Sequence, residues 1–292
     1  MQLLINIVPN ETISWDRLFQ LGAAIEAQRF AGVTTNLQLT ANQELTADHQ
    51  AKLATLNITV QDKPQVPVAK HSYVLNLREN DVLLPGALAQ WQSVTTQHAH
   101  TPISLATFDN QLPLDEQISD YLMIHANNSL LTTYHQLSKS DNVWPQLWGL
   151  QNYSVRSNLK NFRLFSQRLR PTGVLLPADQ ISSDYPLASI AQNLQLLSQH
   201  TEIVRLHVPT IQNGQWNRDT PFIWFNQLQA ATKVPLSIDW EPAFARYCRS
   251  QLRKLLKNTE ENHLTQDQQT VISEQLDQFV AQVDQDAQDD ED

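Results

Sequence analysis

The chain opens on a short apolar run, Gln2 to Val8, that stops at Pro9 and Asn10. A run of this length closed by turn residues predicts a buried first strand. Trp15, Leu18, Phe19, Gly22 and Ile25 then recur at helical spacing, and Ser14 stands where it can cap that helix. Val33 to Leu39 predicts a strand, Ala47 to Leu56 a helix, and Ile58 to Val60 a further strand. Pro64 and Pro67 break the chain, and Tyr73 to Leu77 is the next apolar strand. Strand, helix, strand, helix, strand implies right-handed crossovers and a mostly parallel sheet. Ligands of such sheets bind beyond the carboxyl ends of the strands, which draws attention to the loops after Val8, Leu39 and Leu77.

The alternation continues through a helix at Leu83 to Gln97 and strands at Ile103 to Thr107 and Ser119 to His125. Trp144 to Arg170 is mixed, with helical stretches, and carries Arg156, Lys160, Arg163, Arg168 and Arg170, a basic face that either grips phosphate or is simply solvated. Tyr185 to His200 reads as an amphipathic helix and Ile203 to Val208 as a strand. Beyond Pro221 the period turns helical, over Phe222 to Ala231, Pro242 to Lys257 and Thr265 to Val283. Thr265 with Gln268 is a capping-box signature for the last of these. The expected organisation is an α/β domain over residues 1–220, a helical extension over 221–283 and a solvated, disordered acidic tail over 284–292.

Composition narrows the classes. The chain has 292 residues, 41% apolar and 17% charged, which fits a folded globular protein. Its formal net charge of -10 weighs against a nucleic-acid partner. The acidity is uneven, because the last nine residues carry six carboxylates while Arg246, Arg249, Arg253, Lys254 and Lys257 form a basic stretch before them. Phe244, Tyr247, Leu252, Leu255 and Leu256 interleave with those cations, which leaves two readings. One is a terminal helix packed on the core with its cations outward, and the other is a peripheral contact with an anionic membrane. A single cysteine, Cys248, excludes an internal disulfide framework. Only 6 glycines are present and none cluster, which argues against a dinucleotide fingerprint or a P-loop. His98 and His100 lack a nearby third ligand for a metal. The N-terminus lacks signal-peptide features, and no run approaches the roughly 18 apolar residues of a membrane span, so the expectation is a cytoplasmic protein with no transmembrane segment.

Tyr73 to Leu88 reads YVLNLRENDVLLPGAL. This resembles the central motif of family-two glycosyltransferases of the GT-A fold, where a strand ends in an Asp-x-Asp-Asp loop and continues into Val-Leu-Leu-Pro-Gly-Ala-Leu. The flank matches from Val82 through Leu88. Ile5 to Glu11 is similar to the family's first strand and its Pro-x-x-Asn-Glu turn, shortened by two residues. Ser182 to Leu197 is similar to the Glu-Asp-Tyr-Pro-Phe helix, whose Asp is the family's catalytic base, and Trp148 to Leu159 is similar to the acceptor-side segment. The resemblance covers roughly residues 1–210 and is specific only over Tyr73 to Leu88.

The resemblance implies a GT-A α/β fold, a mostly parallel sheet flanked by helices, with additional C-terminal helices. It implies a nucleotide-diphosphate sugar as donor and inverting transfer to a glycan or glycoprotein acceptor of the cell surface. In that family a divalent cation offsets charge on the leaving diphosphate, while a carboxylate takes the proton of the acceptor hydroxyl. The matching positions here are Pro9, Asn10, Arg78, Asn80 and Asp81 for the donor, Asp81 for Mg²⁺ or Mn²⁺, and Asp184 for the base.

The chain departs from the family where the chemistry sits. The two Asp of the family loop fall on Arg78 and Asn80, the loop after the second strand reads Thr40-Ala41-Asn42-Gln43, and Ser183 replaces the Glu before the base. A cation of this kind wants carboxylate oxygens, and Asp81 beside Arg78 supplies little. One reading lets Arg78 pair with the diphosphate in place of the metal. A second makes the chain a non-catalytic relative, a binding or stabilising subunit in a glycosylation or surface-assembly complex with a partner glycosyltransferase. A third slips the register so that Glu79 and Asp81 form the chelating pair. Beside these stand plain structural roles: Arg78, Asn80 and Asp81 as a strand-end turn, and Asp184 as a helix N-cap.

Overall fold

The computed structural model describes residues 1–9, 13–40, 45–62, 65–66, 71–109, 153–157, 172–199, 202–213, 221–236, 241–257 and 264–289. The chain divides into two compact units. The first comprises Met1–Arg156, Thr172–Ile181 and Glu202–Gln215, and the second Ser157–Pro171, Ser182–Thr201 and Trp216–Asp292.

The first unit runs β1 (Gln2–Val8), α1 (Trp15–Ala27), β2 (Thr34–Thr40), α2 (Ala47–Thr55), β3 (Ile58–Gln61), β4 (Ser72–Arg78), β5 (Val82–Leu83), α3 (Ala87–Gln97), β6 (Ile103–Asp109), β7 (Tyr153–Ser157), β8 (Val174–Pro177) and β9 (Glu202–Asn213). Its sheet has the order β3-β2-β1-β4-β8-β6-β9-β5, with β7 also paired to β9. β3, β2, β1 and β4 are parallel neighbours, and β6 is parallel to β9. β8 runs antiparallel between β4 and β6, and β5 runs antiparallel along β9. The mostly parallel α/β architecture read from the alternation is therefore present.

The pleat explains the core. Leu3, Ile5 and Ile7 of β1, Leu37 and Leu39 of β2, and Tyr73, Leu75 and Leu77 of β4 point to one face and pack with Leu18, Leu21 and Ile25 of α1 and Leu88, Trp91 and Val94 of α3. Gly22 lies in this contact, since a Cβ there would meet Leu56 and Ile58 side-chain carbons at 3.0 Å. That close approach accounts for a glycine in mid-helix, where it costs about 1 kcal/mol relative to alanine. Tyr73 is 2% exposed and donates its hydroxyl to the His98 carbonyl at 3.1 Å. Burial pushes its hydroxyl up to about 12. The unfolded chain ionises Tyr73 near its ordinary value of about 10 while the folded chain does not, so stability present below pH 10 is lost as pH rises towards 12. Denaturant midpoints measured from pH 9 to 12 are expected to fall in the wild type and to fall less steeply in Tyr73→Phe.

Four local predictions are corrected. The helix expected from Leu83 begins at Ala87, because Val82 and Leu83 extend as β5 and Gly86, at φ 80°, turns the chain into α3. The helix expected from Tyr185 begins at Ile190. β9 continues past Val208 to Asn213, with register shifts against β6. β8, in the middle of the sheet, has no counterpart among the predicted strands; its four residues lie between turn residues and carry no period of their own. The strand expected at Ser119 to His125 lies outside the described residues, as does Trp144 to Arg170 apart from β7.

The second unit contains α4 (Ile190–Gln199), α5 (Pro221–Ala231), α6 (Glu241–Lys257) and α7 (Gln266–Asp289). α4 buries Ile190, Ala191, Leu194, Leu196 and Leu197 and packs on α5. Phe244, Ala245, Cys248 and Leu252 form the buried stripe of α6, which packs against α7. Burial raises the Cys248 thiol above its ordinary value, leaving it a small apolar group. The apolar face of α6 is thus used in packing, as the packed-helix reading expects. The capping box of α7 forms: Gln268 N–H donates to Thr265 Oγ1 at 3.3 Å, and Thr265 N–H donates to Gln268 Oε1 at 3.0 Å. α7 runs on to Asp289, beyond Val283 and into the acidic segment. Among the described residues no helix is long and apolar enough to cross a membrane.

Candidate functional site

The carboxyl ends of β1, β2 and β4 lie side by side, and Val8 and Arg78 are partners in the register. This places Pro9, Arg78, Asn80 and Asp81 on one edge of the first unit. Asn10 lies outside the described residues, and Asp184 belongs to the second unit.

The loop after β4 is the best defined part of this edge. Asp81 is 4% exposed, and its Oδ2 accepts the Arg78 N–H at 2.9 Å while its own N–H donates to the Arg78 carbonyl at 3.0 Å. The carboxylate therefore closes the turn that carries it, as Asp often does at strand ends. Glu79 is fully buried, and its Oε1 accepts the Ser14 N–H at 3.2 Å. Ser14 is the N-cap of α1, but its hydroxyl makes no capping bond. In a capping box the third helical residue returns a carboxylate to the N-cap N–H. That residue here is Arg17, and Glu79 supplies the carboxylate from across the sheet. One N–H at the start of α1, a helix end that elsewhere receives phosphate, is thus taken by a carboxylate. A cleft of about 270 Å³ adjoins the loop, between Arg17, Gln20, Leu21 and Ala24 of α1 and residues Glu79 to Leu83.

These contacts limit what the loop offers a metal ion. Each carboxylate has an oxygen on a backbone N–H, and Asn80 and Arg78 stand at the remaining positions. Among the described residues no group of three or more His, Cys, Asp or Glu is placed to hold a metal ion. The loop's own donor set for a divalent cation is small: the Asp81 and Glu79 carboxylates, each with one oxygen already on a backbone N–H.

Behind the loop lies a polar chain without counterpart in the sequence reading. Asn6 Nδ2 donates to Asn76 Oδ1 at 2.8 Å, and Thr40 Oγ1 donates to Asn6 Oδ1 at 2.9 Å. Asn6 and Asn76 are each 1% exposed and are partners in the β1–β4 register. Their face of the sheet is the one opposite Ile5, Ile7, Leu75 and Leu77. The chain ties three strands together just short of their carboxyl ends. An amide within each of two otherwise apolar strands is the sequence signal that could have revealed it.

Asp184 is exposed, in a turn where its N–H donates to Ser182 Oγ at 3.1 Å. It is not the N-cap of α4, which starts later. Ser189 takes that place, its Oγ accepting the Gln192 N–H at 3.1 Å. At the other end of the first unit's strands His100 Nδ1 lies 3.0 Å from Asp179 Oδ2, which gives His100 a structural partner. Arg156 lies in β7, and Lys160, Arg163, Arg168 and Arg170 lie outside the described residues.

No protein-family model matches this chain, and no curated protein sequence matches it. Solved structures do. The structure of S. aureus TarS 1-349 in complex with UDP-GlcNAc matches with a TM-score of 0.54 at 11% identity, over 97% of this chain and 82% of that one. TarS 1-349 in complex with UDP gives 0.52 at 11%, over 92% and 77%. TarS 1-349 alone gives 0.51 at 12%, over 90% and 74%. At this identity the likeness speaks to the fold, which is a GT-A-like α/β fold.

Proposed function

We propose that this protein binds a nucleotide-diphosphate sugar at the carboxyl edge of β1, β2 and β4 and transfers the sugar, with inversion, to a cell-surface polymer or glycoprotein acceptor. The observation that carries the reading is the Arg78–Asp81 loop. It lies at the carboxyl ends of parallel strands, where α/β sheets bind ligands, and it sets a strand-end arginine beside carboxylates already engaged on backbone N–H groups. The solved structures of similar fold with UDP and UDP-GlcNAc support a uridine nucleotide as the donor carrier. In this reading the Arg78 guanidinium offsets the charge that grows on the leaving diphosphate, forking onto two phosphate oxygens. Pro9 and Asn10 flank the nucleotide, Asn80 and Asp81 hold the loop, and Asp184 takes the acceptor proton.

The engaged carboxylates also support a second reading. Carboxylates that serve the fold in this way suit a non-catalytic relative, and such a chain binds donor or glycan to stabilise a partner glycosyltransferase. One experiment separates the two. Thermal unfolding is followed with UDP, UDP-GlcNAc, other UDP-sugars and GDP, with and without Mn²⁺, alongside a transfer assay. A ligand at a hundredfold excess over its Kd adds about 2.7 kcal/mol of stability. A uridine nucleotide is expected to raise the melting temperature equally with and without Mn²⁺. Arg78→Ala is expected to weaken that binding about 10- to 100-fold, from the loss of a charge-assisted bond. Asp184→Asn is expected to keep binding and lose transfer. Binding without transfer in the wild type identifies the non-catalytic protein, and no shift with any nucleotide sinks both readings.

A further inference from the structure

α6 presents to solvent a face that its packing does not use. Arg246, Arg249, Arg253 and Lys257 recur at i, i+3, i+7 and i+11, one stripe of a helix, with Lys254 beside it. Arg246, Arg253, Lys254 and Lys257 are exposed and Arg249 is half-buried. The buried residues Phe244, Ala245, Cys248 and Leu252 are the opposite face, committed to packing. The ion pairs Arg29–Glu26, Lys52–Asp48 and His100–Asp179 involve none of the α6 cations. The exposed carboxylates of α7, Asp267, Glu274 and Asp277, leave these cations unpaired as well.

In a chain of net charge -10, five cations on one helix are matched by one strongly acidic segment, the six carboxylates of Asp284–Asp292. α6 packs against α7, and α7 stays helical to Asp289, so the acidic segment begins on a helix that neighbours the stripe.

We propose that the cationic face of α6 docks the acidic C-terminal segment of a second copy of this chain, reciprocally about a two-fold axis. Two copies related by a two-fold axis offer each other one cationic stripe and one acidic segment, the self-complementary arrangement of a two-fold dimer. Charge complementarity of this exposed kind is strongly screened, over about 10 Å at 0.1 M salt and about 3 Å at 1 M. The inference does not depend on whether a nucleotide binds.

Sedimentation of the full chain tests it. A dimer is expected at 0.1 M salt, with its Kd weakened at least tenfold at 1 M. The chain ending at Val283 is expected to be monomeric at both, while Phe279, the last buried apolar residue described in α7, remains in place. Arg253→Glu/Lys257→Glu, which changes only exposed positions, is also expected to be monomeric. Mixed with the shortened chain it should pair again, since one copy then offers the acidic segment and the other the intact stripe. A monomer at 0.1 M salt overturns the proposal. So does a dimer that survives removal of residues 284–292, or a full chain that binds anionic vesicles while staying monomeric.

Discussion

Trp91→Ala is expected to lower the stability of the protein by about 3–5 kcal/mol, the range for removing a large buried aromatic ring. Trp91 is 0% exposed and sits in the core between α3 and the sheet. Its indole Nε1–H donates to Thr210 Oγ1 at 3.0 Å, and Thr210 is itself 0% exposed. The Thr210 carbonyl accepts the Leu84 N–H at 3.0 Å. The alanine variant therefore opens a cavity and strips a donor from a buried hydroxyl at the point that ties α3, β5 and β9 together. Trp91→Phe keeps most of the volume and loses only the donor, so it should cost about 1–3 kcal/mol. The measurement is the denaturant midpoint at unchanged slope. A cost below about 1 kcal/mol for the alanine variant would contradict the packing of α3 on this core.

Asn6→Leu is expected to cost about 1–3 kcal/mol for each buried group that loses its partner. The side chains are similar in volume, so packing alone predicts little change. The cost arises because Thr40 Oγ1 and Asn76 Oδ1 both bond to Asn6. Replacing Asn6 and Asn76 together by leucine removes donor and acceptor at once, so the double variant should cost less than the sum of the singles, by about 0.5–3 kcal/mol. Strict additivity in denaturant unfolding would show that the two amides do not interact. Because the bonded residues lie within two positions of the ends of β1, β2 and β4, the single variant should also weaken the nucleotide binding proposed above, read in the same thermal-shift assay.

The Val82–Leu88 flank that carries the family resemblance turns out to be a folding signal. Val82 and Leu83 pair with Gln212 and Ile211, Pro85 and Gly86 make the turn, and Leu84, Ala87 and Leu88 are buried. The Glu79–Asp81 pair was equally legible as a pattern. Only the fold shows that Glu79 serves the start of α1 and Asp81 its own turn.

Local order along the chain determined the parallel sheet, its crossovers and the capped C-terminal helix. Those features follow from periodicity, breakers and caps, whose partners lie within a few residues. Tertiary structure alone decided the antiparallel strand β8 between β4 and β6, the Thr40–Asn6–Asn76 chain, and the long reach of Glu79 to Ser14. Each joins groups tens of residues apart through bonds that any polar residue can make. No local pattern distinguishes the residue that finds such a partner from one that faces water.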